Sequence, residues 1–282
     1  MRRAVLFGNP LRRPHSAVMH NAAFRSLGID AVYELREVDE DGLRAQVPQA
    51  RSEGWLGFQV TAPHKRVVMS LLDEVEPAAA RIGAVNTVEL TADGRLVGFN
   101  TDTVGFISAL TAQLDVVIRD SRVVVAGSGG VGHAVIYGLL SQQVADLTVL
   151  GRDMAALADV QDDFASVGAF RTLALDGSGV RSVLRSADLF VNATSAGMLT
   201  TGPVVAVDQL RADTQVFDVV YVPAETSLVR QARARGLPAV NGAGMLVAQA
   251  AAAFIRWTGA SDPSDIMRAA VQPVLEAPVS GP

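Results

Sequence analysis

Arg122-Val123-Val124-Val125-Ala126-Gly127-Ser128-Gly129-Gly130-Val131-Gly132 runs from an apolar, β-branched segment straight into glycines and a helical pattern that begins at Val131. A short apolar run closed by a turn reads as a strand buried on both faces. Glycines directly after such a strand permit a tight turn and let backbone N–H groups approach a ligand, while the following helix N-terminus supplies partial positive charge. A glycine-rich turn by itself serves equally well as a plain connection. With a strand before it and a helix after it, the segment Gly127, Ser128, Gly129, Gly130 and Val131 points to a dinucleotide pyrophosphate.

Downstream, Leu147–Leu150 reads as the next strand and ends in Gly151-Arg152-Asp153. An acid that takes the adenosine ribose hydroxyls is expected about 20 residues past the glycines. Glycine stands in that place here. Arg152 favours a 2′-phosphate, and so NADP, whereas Asp153 favours free ribose hydroxyls, and so NAD. Further strands are expected at Leu189–Val191, Val216–Val220 and Ala239-Val240, with a helix over Leu228–Arg235. Repeated strand–helix alternation implies a parallel sheet covered on both faces.

Upstream, Ala4–Phe7, Trp55–Val60, Asn86–Leu90 and Leu96–Phe99 read as strands, the last two joined at the Asp93-Gly94 turn. Ser16–Leu27 has helical spacing, and Pro63 marks a helix start before the run Val67–Leu72. The chain after Asn241-Gly242 is helical and is expected to pack back on the first domain. The expected architecture is α/β with two domains, residues 1–102 with 241–282 and residues 103–240.

The 282 residues suit two domains. A net charge of -5 argues against nucleic-acid and anionic-membrane partners, which need a basic footprint. The chain has no cysteine, which removes disulfides and thiolate metal sites, and its four histidines show no ligand spacing, so no metal is expected. With neither a signal peptide nor an apolar run long enough to cross a bilayer, the expected location is the cytoplasm. Oligomeric state is not legible.

Three segments near the ends of apolar runs combine polar groups with turns: Val60-Thr61-Ala62-Pro63-His64-Lys65, Gly83-Ala84-Val85-Asn86-Thr87 and Asn100-Thr101-Asp102. A lysine oriented by an aspartate is a workable proton shuttle for alcohol oxidation. Taken singly, a lysine is usually solvated, an Asn-Thr usually a turn and an Asp after Thr usually a helix cap.

Together with GNPLRRPHSAVMHNAAF, VTAPHK, IGAVNT, GFNTD, AGSGGVG, NATSAGM, FDVVY and NGAGMLVAQAA in that order, these segments make the chain resemble the shikimate/quinate dehydrogenase family over almost its whole length. The resemblance implies an α/β substrate-binding domain, a Rossmann-type doubly wound dinucleotide-binding domain and a cleft between them. It implies Lys65 as catalytic lysine with Asp102 as its partner. Ser16, Thr61, Asn86, Asp102, Tyr221 and Gln249 match substrate positions. Gly127 to Val131, Arg152, Val219 and Gly242 match cofactor positions, with Asp153 adjoining them. The implied reaction is reversible hydride transfer between NADP(H) or NAD(H) and a small ring hydroxy acid, shikimate/3-dehydroshikimate, in aromatic amino acid biosynthesis.

The chain departs from the family at its first segment. Pro14 replaces the first serine of Ser-x-Ser and removes one hydrogen bond to the substrate carboxylate. Such a bond to a charged group contributes about 1.5–3 kcal/mol. Arg12, Arg13 and His15 are the neighbouring donors. Gln59 stands where asparagine is common, and His64 where an apolar residue is common. Other functions compatible with this layout are a quinate or shikimate-analogue dehydrogenase, a non-catalytic cofactor-binding homologue and a folate-linked dehydrogenase. The GAVNT and GMLVAQAA segments favour the shikimate branch over the last of these.

Overall fold

The computed structural model describes residues 1–11, 13–198 and 202–277. Their contacts form two compact units, Met1–Val104 with Val247–Val274, and Gly105–Leu246 with residues 275–277.

In chain order the first stretch contains β1 (Arg2–Gly8), α1 (His15–Ser26), β2 (Ala31–Glu37), α2 (Glu40–Ser52), β3 (Gly57–Val60), β4 (Glu74–Val75), α3 (Pro77–Ile82), β5 (Thr87–Leu90), β6 (Leu96–Phe99) and α4 (Thr101–Gln113). The sheet order is β2-β1-β3-β5-β6-β4. β1 pairs in parallel with β2 and β3, whereas β5 runs antiparallel to both β3 and β6. Successive side chains of a strand face opposite sides. Val5, Phe7, Phe58 and Val60 therefore pack with Leu43, Val47 and Ala50 of α2. Tyr33 and Gln59 turn the other way, toward a ring cluster of His20, Phe24, Phe254 and Trp257.

The second unit follows as β7 (Arg122–Ala126), α5 (Gly130–Ser141), β8 (Asp146–Gly151), α6 (Met154–Phe164), β9 (Arg171–Ala174), α7 (Val180–Ser186), β10 (Leu189–Asn192), β11 (Gln215–Asp218), α8 (Ser227–Ala234) and β12 (Ala239–Val240). The helices α9 (Ala243–Thr258) and α10 (Ser264–Glu276) complete the chain. All six strands of this sheet are parallel, in the order β12-β11-β10-β7-β8-β9. From β7 the chain winds out to β9 and then returns past β7 to wind the other way, which is the Rossmann order. Val123 and Val125 join a core with Phe106, Ile136 and Phe164, while Val124 and Ala126 join one with Leu184, Phe190 and Leu228. Both faces of the sheet are covered, as the apolar strand at 122–126 implies.

Two local expectations give way. Residues 62–66 form turns and Val67–Leu71 a short 3-10 helix, in place of a helix opened by Pro63. The Lys65 carbonyl accepts from Val85 N–H at 2.9 Å, so it is withdrawn from any helical ladder. The strand expected over Val216–Val220 stops at Asp218, because Val220 N–H turns back onto the Asp218 carboxylate at 3.1 Å.

Candidate active site

The polar segments of the first unit meet because of strand register. Gln59 of β3 is opposite Thr87 of β5, which is opposite Phe99 of β6. The end of β3, the start of β5 and the end of β6 therefore share one edge of the sheet. Backbone bonds tie the adjoining loops: Val60 N–H to Asn86 O, Asn86 N–H to Phe99 O and Thr61 N–H to Phe7 O.

At that edge Lys65 Nζ donates to Asp102 Oδ2 at 2.5 Å, with side-chain exposures of 17% and 10%. Asn86 Nδ2 donates to the other carboxylate oxygen, Oδ1, at 2.9 Å. Asn86 Oδ1 accepts the Thr101 backbone N–H at 2.8 Å. A backbone N–H can only donate and an ionised carboxylate can only accept, so these two bonds fix which way the Asn86 amide lies. Asp102 sits in the first turn of α4, where a negative charge is favourable, and Asn100 Oδ1 accepts its N–H at 3.0 Å. The result is a largely desolvated ammonium–carboxylate pair whose acid is held from both sides.

Gln249 of α9 belongs to the same network: its Oε1 accepts from Gln59 Nε2 at 3.1 Å. Thr61, at the end of β3, and Ser16, near the start of α1, are half-buried. Of the donors that could stand in for the serine missing at Pro14, Arg12 lies outside the described residues. Arg13 is exposed, and burial, reinforced by the Arg13 charge, lowers the proton affinity of His15. His64 is fully buried, with Nε2 at 2.8 Å from Val38 O, so its ring packs under the β2–α2 connection.

In the second unit Gly127 has φ +116°, and a Cβ there would meet the Ala193 backbone at 2.8 Å. A Cβ at Gly132 would sit 2.4 Å from Gly127 O. Glycine is required at both positions, by backbone conformation and by helix–strand contact. Gly129 differs, since a Cβ there would enter open space. The N-terminus of α5 has no side-chain cap and no acid in its first turn. That combination of open room, helix-start N–H groups with no side-chain cap and partial positive charge fits a pyrophosphate at Gly127 to Val131. Arg152 is exposed. Asp153 caps α6, its Oδ1 accepting from Ala155 N–H at 2.9 Å and Ala156 N–H at 3.3 Å.

Val219, Tyr221 and Gly242 also belong to this unit. Val219 and Gly242 touch so closely that a Cβ on Gly242 would lie 2.1 Å from Val219 O. The loop carrying Val219 and Tyr221 is anchored by buried Asp218, which accepts from Asn192 Nδ2, Thr226 Oγ1 and Val220 N–H. Burial raises the Asp218 pKa against the opposing pull of those bonds. Asp218 and Asn192 were not recognisable as an anchor from the sequence, because their partnership depends on β10 and β11 being neighbours. Among the described residues no group of three or more His, Cys, Asp or Glu could hold a metal ion, and no helix is long and apolar enough to cross a membrane.

A Rossmann-ordered unit with an unobstructed glycine loop, accompanied by a lysine–carboxylate pair, defines an NAD(P)-dependent oxidoreductase. Residues 6–88 match the shikimate dehydrogenase substrate binding domain, and residues 242–272 the shikimate 5′-dehydrogenase C-terminal domain. A shikimate dehydrogenase (NADP(+)) of Methanopyrus kandleri is 39% identical over 272 residues, 94% of this chain and 93% of its own. The shikimate 5-dehydrogenase of Thermus thermophilus, solved with NADP(H) and shikimate, superposes with a TM-score of 0.87 at 32% identity, covering 98% of this chain and 100% of its own. The quinate dehydrogenase of Corynebacterium glutamicum, solved with NAD, does so with a TM-score of 0.88 at 34% identity, covering 95% and 98%. The chain belongs to the shikimate dehydrogenase family.

Proposed function

We propose that the chain catalyses reversible hydride transfer between NADP(H), with NAD(H) as the weaker alternative, and a carboxylated ring alcohol of the shikimate type. Residues 1–102 with 241–282 act as the substrate and catalytic domain, and residues 103–240 as the dinucleotide domain. A nicotinamide bound in the second supplies or accepts the hydride. Lys65 Nζ gives a proton to the ring carbonyl oxygen as hydride reaches carbon, and takes it back in the reverse direction. Asp102 orients the ammonium and, with Asn86 and Thr61, binds ring hydroxyls. Ser16 and Tyr221 bind the remaining polar groups of the substrate, together with Gln249. Gly127, Ser128, Gly129, Gly130 and Val131 hold the diphosphate, Arg152 and Asp153 border the adenosine ribose, and Val219 and Gly242 flank the nicotinamide.

The observation that carries this reading is the Lys65–Asp102 pair at 2.5 Å, buttressed by Asn86. A lysine locked this way in a nearly dry site is held for a reaction rather than for solubility. Shikimate and quinate, each with NADP and NAD, followed by reduced-cofactor absorbance, test it. Turnover of shikimate with NADP is expected. Absence of turnover in all four combinations overturns the reading.

A second reading, quinate or another ring acid as preferred substrate, is favoured by Pro14. Having neither hydroxyl nor N–H, Pro14 alters the carboxylate end of the pocket while leaving the lysine pair untouched. Turnover of quinate well above that of shikimate would select it.

A further inference from the structure

Gln59 lies at the centre of a buried chain of polar side chains, and neither it nor Tyr33 has a part in the reaction proposed above. Tyr33 Oη donates to Gln59 Oε1 at 2.7 Å, and Gln59 Nε2 donates to Gln249 Oε1 at 3.1 Å and to Thr87 Oγ1 at 3.3 Å. Thr87 Oγ1 is 3.2 Å from Thr101 Oγ1, which donates to Asn86 Oδ1 at 3.2 Å and lies 3.5 Å from Gln249 Oε1. The chain therefore runs from Tyr33 on β2 to the Asn86–Asp102–Lys65 group. Tyr33, Gln59, Thr87, Thr101 and Gln249 are all buried. Tyr33 is stacked on His20 with ring centroids 4.3 Å apart and planes 5° from parallel, which leaves its hydroxyl little freedom to wander.

The direction of these bonds matters more than their number. An amide has a donating end and an accepting end, and a buried amide placed the wrong way leaves two groups unsatisfied. With the Tyr33 hydroxyl donating to the Gln59 carbonyl, the Gln59 amino group is directed at Gln249. The Gln249 carbonyl is then engaged on the Gln59 side, which fixes which arm of its amide accepts and which donates. Burial raises the Tyr33 pKa, so the hydroxyl keeps the proton it donates. Asparagine at position 59 would be one methylene shorter, so Tyr33 and Gln249 are bridged by the length of this particular side chain.

We propose that Tyr33 and Gln59 are positioning residues that set the orientation of the Gln249 amide, so that Gln249 meets the substrate as a hydrogen-bond donor. The proposal rests on the reading of Gln249 as a substrate contact. A donor there suits an oxygen that can only accept, such as a carboxylate, and replaces part of the donor capacity missing at Pro14. In this role Gln59 acts through Gln249, whereas Tyr33 also lies against the Ser16 hydroxyl and so reaches a second substrate position.

The test is a set of steady-state measurements with shikimate and saturating NADP on the wild type, Tyr33→Phe, Gln59→Met, Gln249→Ala and Gln59→Met in a Gln249→Ala background. Wild-type turnover checks the underlying reading separately. Loss of one oriented hydrogen bond predicts a KM raised about 5- to 20-fold in each single variant, with kcat held within about twofold. Because Gln59 acts through Gln249, Gln59→Met should leave KM unchanged within about twofold once Gln249 is alanine. Multiplying effects of Gln59→Met and Gln249→Ala, or a fall in kcat at constant KM, would overturn the proposal. Amide resonances of ligand-free protein carrying 15N-glutamine give a readout that needs no turnover. The Gln59 side-chain amide, assigned by its loss in Gln59→Met, should exchange slowly with water, and the Gln249 pair should shift in both Tyr33→Phe and Gln59→Met. A Gln249 pair that stays in place in both would also overturn it.

Discussion

The two proposed ligand sites are built by opposite means. In the first unit the site is made of side chains, each held by another: Lys65 by Asp102, Asp102 by Asn86, and Gln249 by Gln59, which is held by Tyr33. In the second unit the site is made by leaving side chains out, at Gly127, Gly129 and Gly132, and the backbone does the rest. A network of directed bonds confers discrimination, because one wrong partner leaves buried groups unpaired. A bare loop at a helix start accepts any group with the right charge and width. The difference predicts that substitutions in the first unit alter chemistry and substrate choice. Those in the second should divide cleanly into folding effects and cofactor effects.

The largest effect is expected at Lys65. Lys65→Ala removes the proposed proton donor while Asn86 still holds the carboxylate, so kcat should fall roughly 10²- to 10⁴-fold, the usual contribution of a positioned acid–base group. Cofactor affinity, measured by calorimetry, should change by less than about twofold. A variant that keeps more than a tenth of wild-type kcat would end the catalytic assignment and with it this half of the comparison.

Next in size is an acid-sensitive element beside the network. His20 is fully buried, and burial pushes its pKa down from 6.5 to about 3, with the nearby Gln59 amide offsetting this only in part. The unfolded chain takes up a proton near pH 6.5 that the folded one refuses until about pH 3. Stability from this residue is therefore complete above pH 6.5 and declines as pH falls through that window. His20→Phe keeps a ring for Tyr33 to stack on and has no proton to gain. Between pH 7 and 5 the wild type should lose about 2 kcal/mol more than this variant in urea unfolding. Equal losses would mean that the His20 site opens to water before the fold gives way.

The glycine loop offers the sharpest internal contrast. Gly127→Ala meets both a φ of +116° and the Ala193 backbone at 2.8 Å, so it should cost about 1–3 kcal/mol and lower Tm by several degrees. Gly129→Ala, placed in open space at φ -82°, should leave Tm within about two degrees. Its methyl group would occupy the room proposed for the diphosphate and weaken NADP binding about tenfold. If both variants change stability alike, the loop is a structural turn and not a ligand cradle.

The two sites also differed in how far they could be read in advance. The strand at 122–126 matched to the residue, because an apolar run followed by glycines is a local pattern. Thr61, Lys65, Asn86 and Asp102 lie on short segments whose motif character is local as well. Tyr33 is not legible because β2, Ala-Val-Tyr-Glu-Leu-Arg-Glu over 31–37, carries so many charges that its strand character is masked. Those charges are answered by Arg3 and Gln46 from neighbouring elements, which no local window contains. The role of Gln59 depends in turn on a partner 26 residues away and another 190 residues away. Distances along the chain of that order are set by topology, and periodicity is silent about them.

The smallest effect, and the finest test of the contrast, concerns Asp153. As a sequence feature it argues for free ribose hydroxyls and against a 2′-phosphate, in opposition to Arg152. Its Oδ1 is committed to the first turn of α6, which gives its carboxylate a structural duty as well as a charge. Serine is an equally good helix cap without the charge. Asp153→Ser should therefore leave Tm within about two degrees while tightening NADP relative to NAD by about 3- to 10-fold, a change readable from the two dissociation constants and largest at low salt. If the ratio does not move, the carboxylate is fully absorbed by the helix and Arg152 alone faces the ribose. If Tm falls as well, the cap is worth more than its serine replacement, and the proposed ribose end of the second site would rest on a side chain as the first site does.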